Sequence, residues 1–532
     1  MNEQSEMPIP SSPGDGTAPQ GLAPLTWSWA EGLVASLLML CNLAPIWITD
    51  RFPSQNGPWF LLPTQMFREY HNPAFNYAEN FVRNWRPIPH MLHDALVGIF
   101  ASQIPLFTAE RIVLTLQAFL FPWCVWRFLE VMAPGRRWMV YPAFLLFLSY
   151  PFFRGYHDYT LSLSLYFLTL SYWYPRRHSL TPGAVAILMV LSLLTYFAHL
   201  VVFGLLAGTI GWFLLFETGN FIRALRTTLL ITGPTWLFTI EYLLANRQAT
   251  WIDRSDTLFR PFYENLRSMV VEYFYSVSPL AAGLSAAAFA CAIPWTLWQR
   301  RQQSAGERPA WSTLFKLPLA TLMLFFFVFY FIAPYKIIGW HKANTRLLPL
   351  IYVLLLTLLA RSISRTPSRR ALWFLWTPVV AGAVCSSVLM CRQVVAMHAA
   401  VDDFVSGMHL VGRNPTLLRI LVDNPAFGGI RPVTRAHDYY HLELGGVNPG
   451  SLPALSTLSV MQYREYPVEK NYPKYEGEMT DAEAQAILTR YPYVLVFGQE
   501  PVLDARLEAA GFDEIHSRGL FHLFRRRDVA AE

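Results

Sequence analysis

The sequence predicts an all-α polytopic membrane domain followed by a small C-terminal α/β domain. Of its 532 residues, 53% are hydrophobic and only 15% are charged, whereas soluble domains are about a quarter charged. Apolar runs near twenty residues long recur over the first three quarters of the chain, and each can cross a hydrocarbon core of about 30 Å. After about residue 393 they give way to shorter segments with strand and helix patterns.

The apolar runs predict about eleven transmembrane helices. Their expected positions are 27–48, 109–132, 138–152, 159–174, 182–199, 201–217, 226–245, 268–298, 313–333, 347–360 and 371–391. Residues 87–105 are an alternative span, but we interpret them as an amphipathic helix at the outer interface. Its polar side would hold His90, His93 and Asp94, opposite an apolar side made of Leu92, Leu96, Ile99 and Phe100.

The turns between these spans predict the orientation of the chain. With these spans, the basic stretches "PGRRW", "YPRRHS", "FIRALRT", "QRRQQSAGER" and "RSISRTPSRR" all fall on one side, as cytoplasmic loops do. We therefore expect residues 1–26 to be a disordered cytoplasmic tail, 27–392 to be the membrane domain, and 393–532 to lie outside the cytoplasm. The net charge of +6 resides largely in these turns, so it does not indicate nucleic-acid binding.

The C-terminal region predicts a mixed domain. "DAEAQAILTRY" is typical of a helix with an acidic start, "YPYVLVFGQE" of a buried strand, and "LEAAGFDEIHSRGLFHLFRRRD" of a helix, a turn and two strands. A cluster in "RAHDYYHLE", comprising His437, Asp438 and His441, has a spacing that suits a metal ion but equally suits an ordinary polar loop.

Asp50 is the first candidate catalytic residue. It follows the first apolar run directly and opens a long first loop, 49–108, on the predicted outer side. Long loops are usually functional, and this one is rich in aromatic and polar side chains, a mix that suits a sugar-binding or head-group cleft. They are Asn56, Trp59, Gln65, Tyr70, His71, Asn72, Asn76, Tyr77 and Trp85. The alternatives are an interfacial acid paired with Arg51 and an aromatic belt.

The second predicted outer loop, "FFRGYHDYT", places Arg154, His157 and Asp158 close together. Asp158 is a second catalytic candidate, although an N-cap of the next helix would also explain it. Asp50 and Asp158 together are a candidate site for a divalent cation.

A later outer loop, "APYKIIGWHKANTRLL", is unexpectedly basic. Its cations are Lys336, His341, Lys342 and Arg346. Positive charge is disfavoured on that side of the membrane, so the loop predicts binding of a phosphate or of anionic lipid head groups. His199, at the outer end of a span, is either functional or a packing residue.

These features together resemble the GT-C superfamily of membrane glycosyltransferases, which includes protein mannosyltransferases and lipid A aminoarabinose transferases. The matching features are the acid in "ITDRF" after the first span, the long outer loop, the "GRR" turn, the acid in "RGYHDY" and the soluble C-terminal domain, whose tail looks like that of bacterial members. The chain departs from the pattern of many members in that Arg51, not a second acid, follows Asp50. It also lacks a WWD-type motif.

The resemblance implies transfer of a sugar from a polyprenyl-phosphate donor to a glycan, lipid or protein acceptor on the outer face of the cell membrane. Asp50 matches the acid that serves as base or orients the acceptor, and Asp158 matches an acid that binds metal in some members. The basic loop, with Arg154, matches a donor-phosphate site by position. The alternatives are a transporter or flippase of lipid-linked glycans, another lipid-linked transferase, and a non-catalytic envelope-assembly protein.

Overall fold

The computed structural model describes residues 28–246, 257–304, 309–337, 340–447, 459–464 and 480–529, with only the backbone of Val270, Trp340 and His341. The predicted tail, 1–26, and part of the loop around 246–267 lie outside these residues.

Helices dominate the chain up to Val405. They are α1 (Trp29–Trp47), α2 (Gly57–Arg68), α3 (Tyr77–Asn80), α4 (Leu92–Ala101), α5 (Leu106–Met132), α6 (Tyr150–Arg154), α7 (His157–Trp173), α8 (Pro182–Ala198), α9 (Leu200–Thr218), α10 (Phe221–Ala245), α11 (Phe262–Phe274), α12 (Pro279–Ala290), α13 (Ala292–Gln302), α14 (Trp311–Phe315), α15 (Pro318–Ile332), α16 (Leu348–Arg361) and α17 (Arg369–Val405). Three short strands also lie in this part of the described chain: β1 (Phe81–Arg83), β2 (Lys336–Ile337) and β3 (Trp340–His341). β2 and β3 pair with each other.

The described residues contain seven helices long and apolar enough to cross a membrane, by length and composition. They are Trp29–Trp47, Leu106–Met132, Leu200–Thr218, Phe221–Ala245, Pro279–Gln302, Asn344–Arg361 and Arg369–Leu410. Three further predicted spans coincide with α7, α8 and α15, which have 17, 17 and 15 residues. The prediction of a polytopic helical membrane domain is confirmed.

The basic turns after α5, α13 and α16 meet at one end of the bundle, which we call the Glu31 end. Ser28 and Glu31 form a capping box that starts α1, and Arg137 lies 3.5 Å from Glu31. The Arg136 side chain donates to the carbonyl groups of Ile363 and Ser364. The opposite end carries Asp50 and is called the Asp50 end.

The prediction of a transmembrane α-helix over 138–152 is wrong. Arg137–Leu146 form a 3₁₀-helix, and α6 follows it. Pro142 lies inside this segment and has no N–H for an α-helical hydrogen bond. The segment still runs from the Glu31 end to the Asp50 end, because a 3₁₀-helix rises about 2 Å per residue.

One other span needs correction. The span predicted over 268–298 is divided, since α11 ends at Phe274 and Ser278 caps a new helix at Pro279. Residues 87–105 contain the ten-residue α4, which is too short to span and agrees with our choice of a helix that does not cross the membrane. The polar side of α4 faces the protein interior, where His93 is buried, whereas Ile99 is 66% exposed.

The C-terminal domain holds α18 (Asp438–Leu444), α19 (Asp481–Leu488), α20 (Pro501–Ala509), β4 (Leu417–Leu421), β5 (Met461–Tyr463), β6 (Tyr493–Phe497), β7 (Phe512–Arg518) and β8 (Phe521–Arg526). Its four-stranded sheet has the order β4-β6-β8-β7. β4 and β6 are parallel, and the other pairs are antiparallel. The predicted acidic helix, buried strand and final helix with two strands are α19, β6 and α20-β7-β8.

The C-terminal domain packs on the Asp50 end. α17 runs into it without a break, and β1 of the first loop pairs antiparallel with β5. The Tyr77 hydroxyl donates to the carbonyl of His441 at 2.6 Å. The domain and the first loop therefore lie on the same side of the bundle, as predicted.

Candidate functional site

The second loop fixes the backbone at the Asp50 end. The amides of Gln55 and Asn56 donate to the carbonyls of Phe153 and Arg154 at 3.1 and 3.2 Å. Gly155 has φ +88°, and a Cβ there would lie 3.0 Å from the backbone of the first loop. Glycine is required for both reasons. This close contact positions Arg154 on one side of the turn and Asp158 on the other.

Three acidic side chains, Asp94, Glu110 and Asp158, lie near one another and are named the acidic region. Glu110 and Asp158 are 2% and 7% exposed. Burial raises the pKa of Asp94 well above its usual value, and the neighbouring Asp158 and Glu110 raise it further. Asp94 Oδ1 and Glu110 Oε1 are buried without a hydrogen-bond partner. Such groups demand an explanation, since unsatisfied buried polar atoms are costly.

Asp158 organises this region through α4. The amide of His93, in the first turn of α4, donates to Asp158 Oδ1 at 2.8 Å, which satisfies one of the free N–H groups of that turn. The Gln117 amide lies 2.9 Å from His93 Nδ1 and 2.8 Å from Thr160 Oγ1. The alternative of Asp158 as N-cap of α7 is wrong, because α7 begins at His157 and its N-cap is Tyr156.

A second group of charges at the same end is named the basic region and comprises Arg154, Arg260, Glu272 and Lys342. Lys342 Nζ and Arg260 Nη1 lie 3.5 and 2.6 Å from the Glu272 carboxylate. Aromatic rings support both cations: Lys342 Nζ is 3.4 Å from the Tyr150 ring and the Arg260 guanidinium 3.3 Å from that of Tyr335.

The basic region has an excess of positive charge among the described residues. Its cations Arg154, Arg260 and Lys342 face Glu272 and, at 3.8 Å from Arg260, the half-exposed Glu264, so three cations meet two carboxylates. Burial is the main cause that lowers the pKa of Lys342 to about 8, and Arg154 and Arg260 act in the same direction against Glu272. Arg154 Nε is buried without a hydrogen-bond partner. The region can therefore accept an anion.

Arg346 lies in a neighbouring histidine–arginine group with His90 and His199. Its Nη1 is 2.9 Å from His199 Nε2. Because arginine only donates, Nε2 must accept and the proton of His199 sits on Nδ1. The His90 ring packs edge-on against His199 at 4.4 Å, and burial together with Arg346 lowers the pKa of His90 to about 3. Both rings are neutral in this arrangement.

Asp50 differs from these acids. Its side chain is exposed and has no hydrogen-bond or ion-pair partner in the described part of the chain. Arg51 does not pair with it, because the guanidinium packs over the rings of Phe107 and Tyr439 at 5.4 and 5.3 Å. Asp50 is free to meet a group arriving from outside.

The two predicted catalytic acids do not form a recognisable metal site. Asp50 is exposed, while one oxygen of Asp158 is committed to His93. No group of three His, Cys, Asp or Glu side chains among the described residues could hold a metal ion. His437 and His441 also have separate partners, Arg419 and the carbonyl of Gly445. The donor set does not fit a divalent cation.

The other predicted residues are spread over this end. His157 is buried, with its ring 4.9 Å from His93 and its Nε2 unpartnered. His71 is exposed and packs edge-on against Tyr70. Lys336 is the cross-strand partner of His341, whose side chain lies outside the described residues.

Comparisons with known proteins identify the fold. The crystal structure of ArnT from Cupriavidus metallidurans in the apo state matches 93% of this chain and 98% of its own, with a TM-score of 0.55 and 12% identity. The structure of ArnT from the same organism bound to undecaprenyl phosphate matches 97% of its own chain, with a TM-score of 0.54 and 11% identity. The arabinofuranosyltransferase AftD from mycobacteria matches 93% of this chain and 41% of its own, with a TM-score of 0.50 and 14% identity. This is the GT-C fold.

This likeness is one of fold. No protein-family model matches the sequence, and no curated protein matches it. The likeness to ArnT and AftD confirms the fold that the resemblance drawn from the sequence implied.

Sequence analysis missed several polar members of this candidate site. Glu110 and Gln117 lie inside a long apolar run, and Glu272 lies in a segment that we assigned to a span. Ionisable groups in apolar runs are functional candidates by default, so the signal for Glu110 and Glu272 was present. Arg260 carried no distinguishing signal, because it is one of several cations in its loop.

Proposed function

We propose that the chain is a membrane glycosyltransferase that moves a sugar from a polyprenyl-phosphate donor to an acceptor on the outer face of the membrane. The observation that carries this proposal is the basic region. It gathers cations from three separate segments at one end of a GT-C bundle. A site with more cations than carboxylates suits a phosphate. ArnT, of the same fold, has been crystallised with undecaprenyl phosphate.

The reaction needs a base and a place for the departing phosphate. The acceptor oxygen forms a bond to the anomeric carbon, and the bond from that carbon to the phosphate oxygen breaks with its electron pair on the phosphate. Lys342, Arg154 and Arg346 are our candidates to stabilise this negative charge as it develops. The proton of the acceptor hydroxyl goes to a carboxylate, for which we propose Asp50.

The two acids have different tasks in this proposal. Asp50 is exposed and unpartnered, so an acceptor hydroxyl from outside can reach it. Asp158 is buried and holds the start of α4, which makes it a positioning residue. The charge of the turns supports the outer face. Basic turns favour the cytoplasm, and those after α5, α13 and α16 meet at the Glu31 end, so the opposite Asp50 end would face outward.

The test is sugar transfer in reconstituted vesicles with a panel of polyprenyl-phosphate sugars and candidate acceptors. Wild type should consume a donor, and Asp50→Asn should lose at least about a hundredfold in rate, the usual contribution of a general base. Asp504→Asn is the matched control, because Asp504 is also an exposed acid but lies on α20.

The outcomes separate the rival functions. Consumption at equal rates by wild type and Asp50→Asn would keep the transferase and remove Asp50 as its base. Movement of intact lipid-linked sugar across the vesicle without transfer would favour the transporter or flippase. Absence of both activities with acceptors present would leave a non-catalytic assembly role.

A further inference from the structure

A cleft of about 470 Å³ lies between the first loop and the C-terminal domain. α2 and α4 form two of its walls, and Ser459–Val460 form another. Asn84 holds that last wall, with its backbone amide 2.8 Å from the carbonyl of Val460 and its side-chain amide 3.1 Å from that of Ser459. The cleft is thus built jointly by two parts of the chain far apart in sequence.

The inner part of the cleft contains an unsatisfied acceptor. Asp94 lines the cleft, and its Oδ1 is buried without a hydrogen-bond partner. A ligand that donates a hydrogen bond would remove this deficit. His90 lines the same part and connects it, through His199, to Arg346.

The open part of the cleft is aromatic and apolar. Trp85 is 76% exposed and stands edge-on to Phe67 at 5.5 Å. Ile99, on the same cleft, is 66% exposed. A largely apolar pocket with a few convergent polar groups is the usual form of a small-molecule site, and an exposed indole can lie against the apolar face of a sugar ring while its edge stays wet.

Charge argues against a phosphate in this cleft. Both arginines that line it face carboxylates: Arg68 lies 2.9 Å from Glu69, and Arg86 lies 3.9 Å from Glu241. The positive excess lies instead in the basic region. The cleft therefore favours an uncharged, hydroxyl-rich group attached to an apolar chain.

We propose that this cleft binds the saccharide head group of a lipid-anchored acceptor, with a hydroxyl donating to Asp94 and a ring face against Trp85. This assignment rests on the proposed function and adds the class of acceptor to it. The acceptor chain leaves past Ile99 toward the lipid, and the acceptor lies next to the acidic region.

The experiment uses the full chain in nanodiscs with two photoreactive probes, a dodecyl glucoside and the matching dodecanol. Labelled peptides are located by mass spectrometry. We expect the glucoside to label residues 84–99, and the dodecanol to label them far less. Asp94→Ala should weaken labelling about tenfold, because it removes the oxygen that accepts the hydrogen bond. Trp85→Ala should weaken it about threefold.

Trp29→Ala is the control, because Trp29 is 70% exposed but lies at the Glu31 end, and it should leave labelling unchanged. Equal labelling by the sugar-free probe, or no change in both cleft variants, would overturn the proposal.

Binding of undecaprenyl phosphate on the same samples separates this inference from the proposed function. It should be unchanged in Asp94→Ala and Trp85→Ala, and its loss there would overturn the assignment of the cleft to the acceptor. Failure of the wild type to bind undecaprenyl phosphate while the glucoside still labels the cleft would instead contradict the donor proposal.

Discussion

The acidic and basic regions lie at the same end of the bundle and share one short turn, yet they handle charge in opposite ways. Asp158 is buried and bonded to a helix start, whereas Lys342 and Arg260 lie on aromatic rings with Glu272 between them. A region that buries carboxylates without cations favours their neutral forms and fixes geometry. A region with excess cations is prepared for an anionic ligand.

The strongest test of this comparison breaks the shared turn. Gly155→Ala should disturb both regions together, because φ +88° and a Cβ 3.0 Å from Gly57 N leave no room for a side chain. We expect a loss of about 2–4 kcal/mol in the free energy of unfolding, measured by thermal unfolding in detergent.

Gly183→Ala is the matched control for that variant. Gly183 lies in the first turn of α8, and a Cβ there would meet nothing within 4 Å. Its stability should be unchanged or slightly higher. Equal losses in the two variants would show that the second loop is not held as described.

The next test separates charge from geometry in the acidic region. Asp158→Ala leaves the amide of His93 without its acceptor and should cost about 1–3 kcal/mol in unfolding free energy. Asp158→Asn should retain most of the stability, because an amide oxygen can accept the same hydrogen bond. If both variants melt at the same temperature, the bond to His93 does not anchor α4.

A pH titration tests the basic region. The pKa of Lys342 is about 8, so its positive charge is lost as pH rises from 7 to 9. Affinity for undecaprenyl phosphate should then fall about tenfold, in proportion to the charged fraction. Lys342→Arg should show a flat profile, because arginine stays charged. Any pH effect of the lipid phosphate itself would appear in both proteins. Equal slopes of affinity against pH in wild type and Lys342→Arg would therefore exclude Lys342 as a ligand of the phosphate.

The smallest expected effect concerns Asp94. Its pKa is raised in the folded protein by burial, so the native state holds its proton while the unfolded state releases it. Stability is therefore full below about pH 4 and falls as pH rises toward the raised pKa. Asp94→Asn should melt above wild type at pH 8, and the difference should shrink toward pH 5. A constant difference would contradict the raised pKa.

The sequence predicted elements whose signals are local. Thr480 and Glu483 form the capping box that starts α19, and Tyr493–Phe497 is a buried strand. Length and hydropathy located most spans, but they do not report backbone conformation. The 138–152 segment has the composition of a span but begins as a 3₁₀-helix. Its proline does not distinguish it, because α5 and α10 also contain a proline and are α-helical.

The site was only partly predictable for another reason. Asp50, Asp158 and the basic loop were identified because they interrupt apolar patterns. Their partners were not, because His93 and Asp158 are 65 residues apart in sequence. Such pairs follow from how α4, α5 and α7 pack, and single-sequence periodicity does not encode this.

The length of α17 sets a limit on how substrates arrive. Its 37 residues extend about 55 Å, well beyond a hydrocarbon core of about 30 Å. The β1–β5 pairing is a second attachment, between the C-terminal domain and the first loop. Lifting this domain away from the bundle would have to bend α17 or break that pairing. Lateral diffusion of a lipid-anchored substrate between the spans would disturb neither.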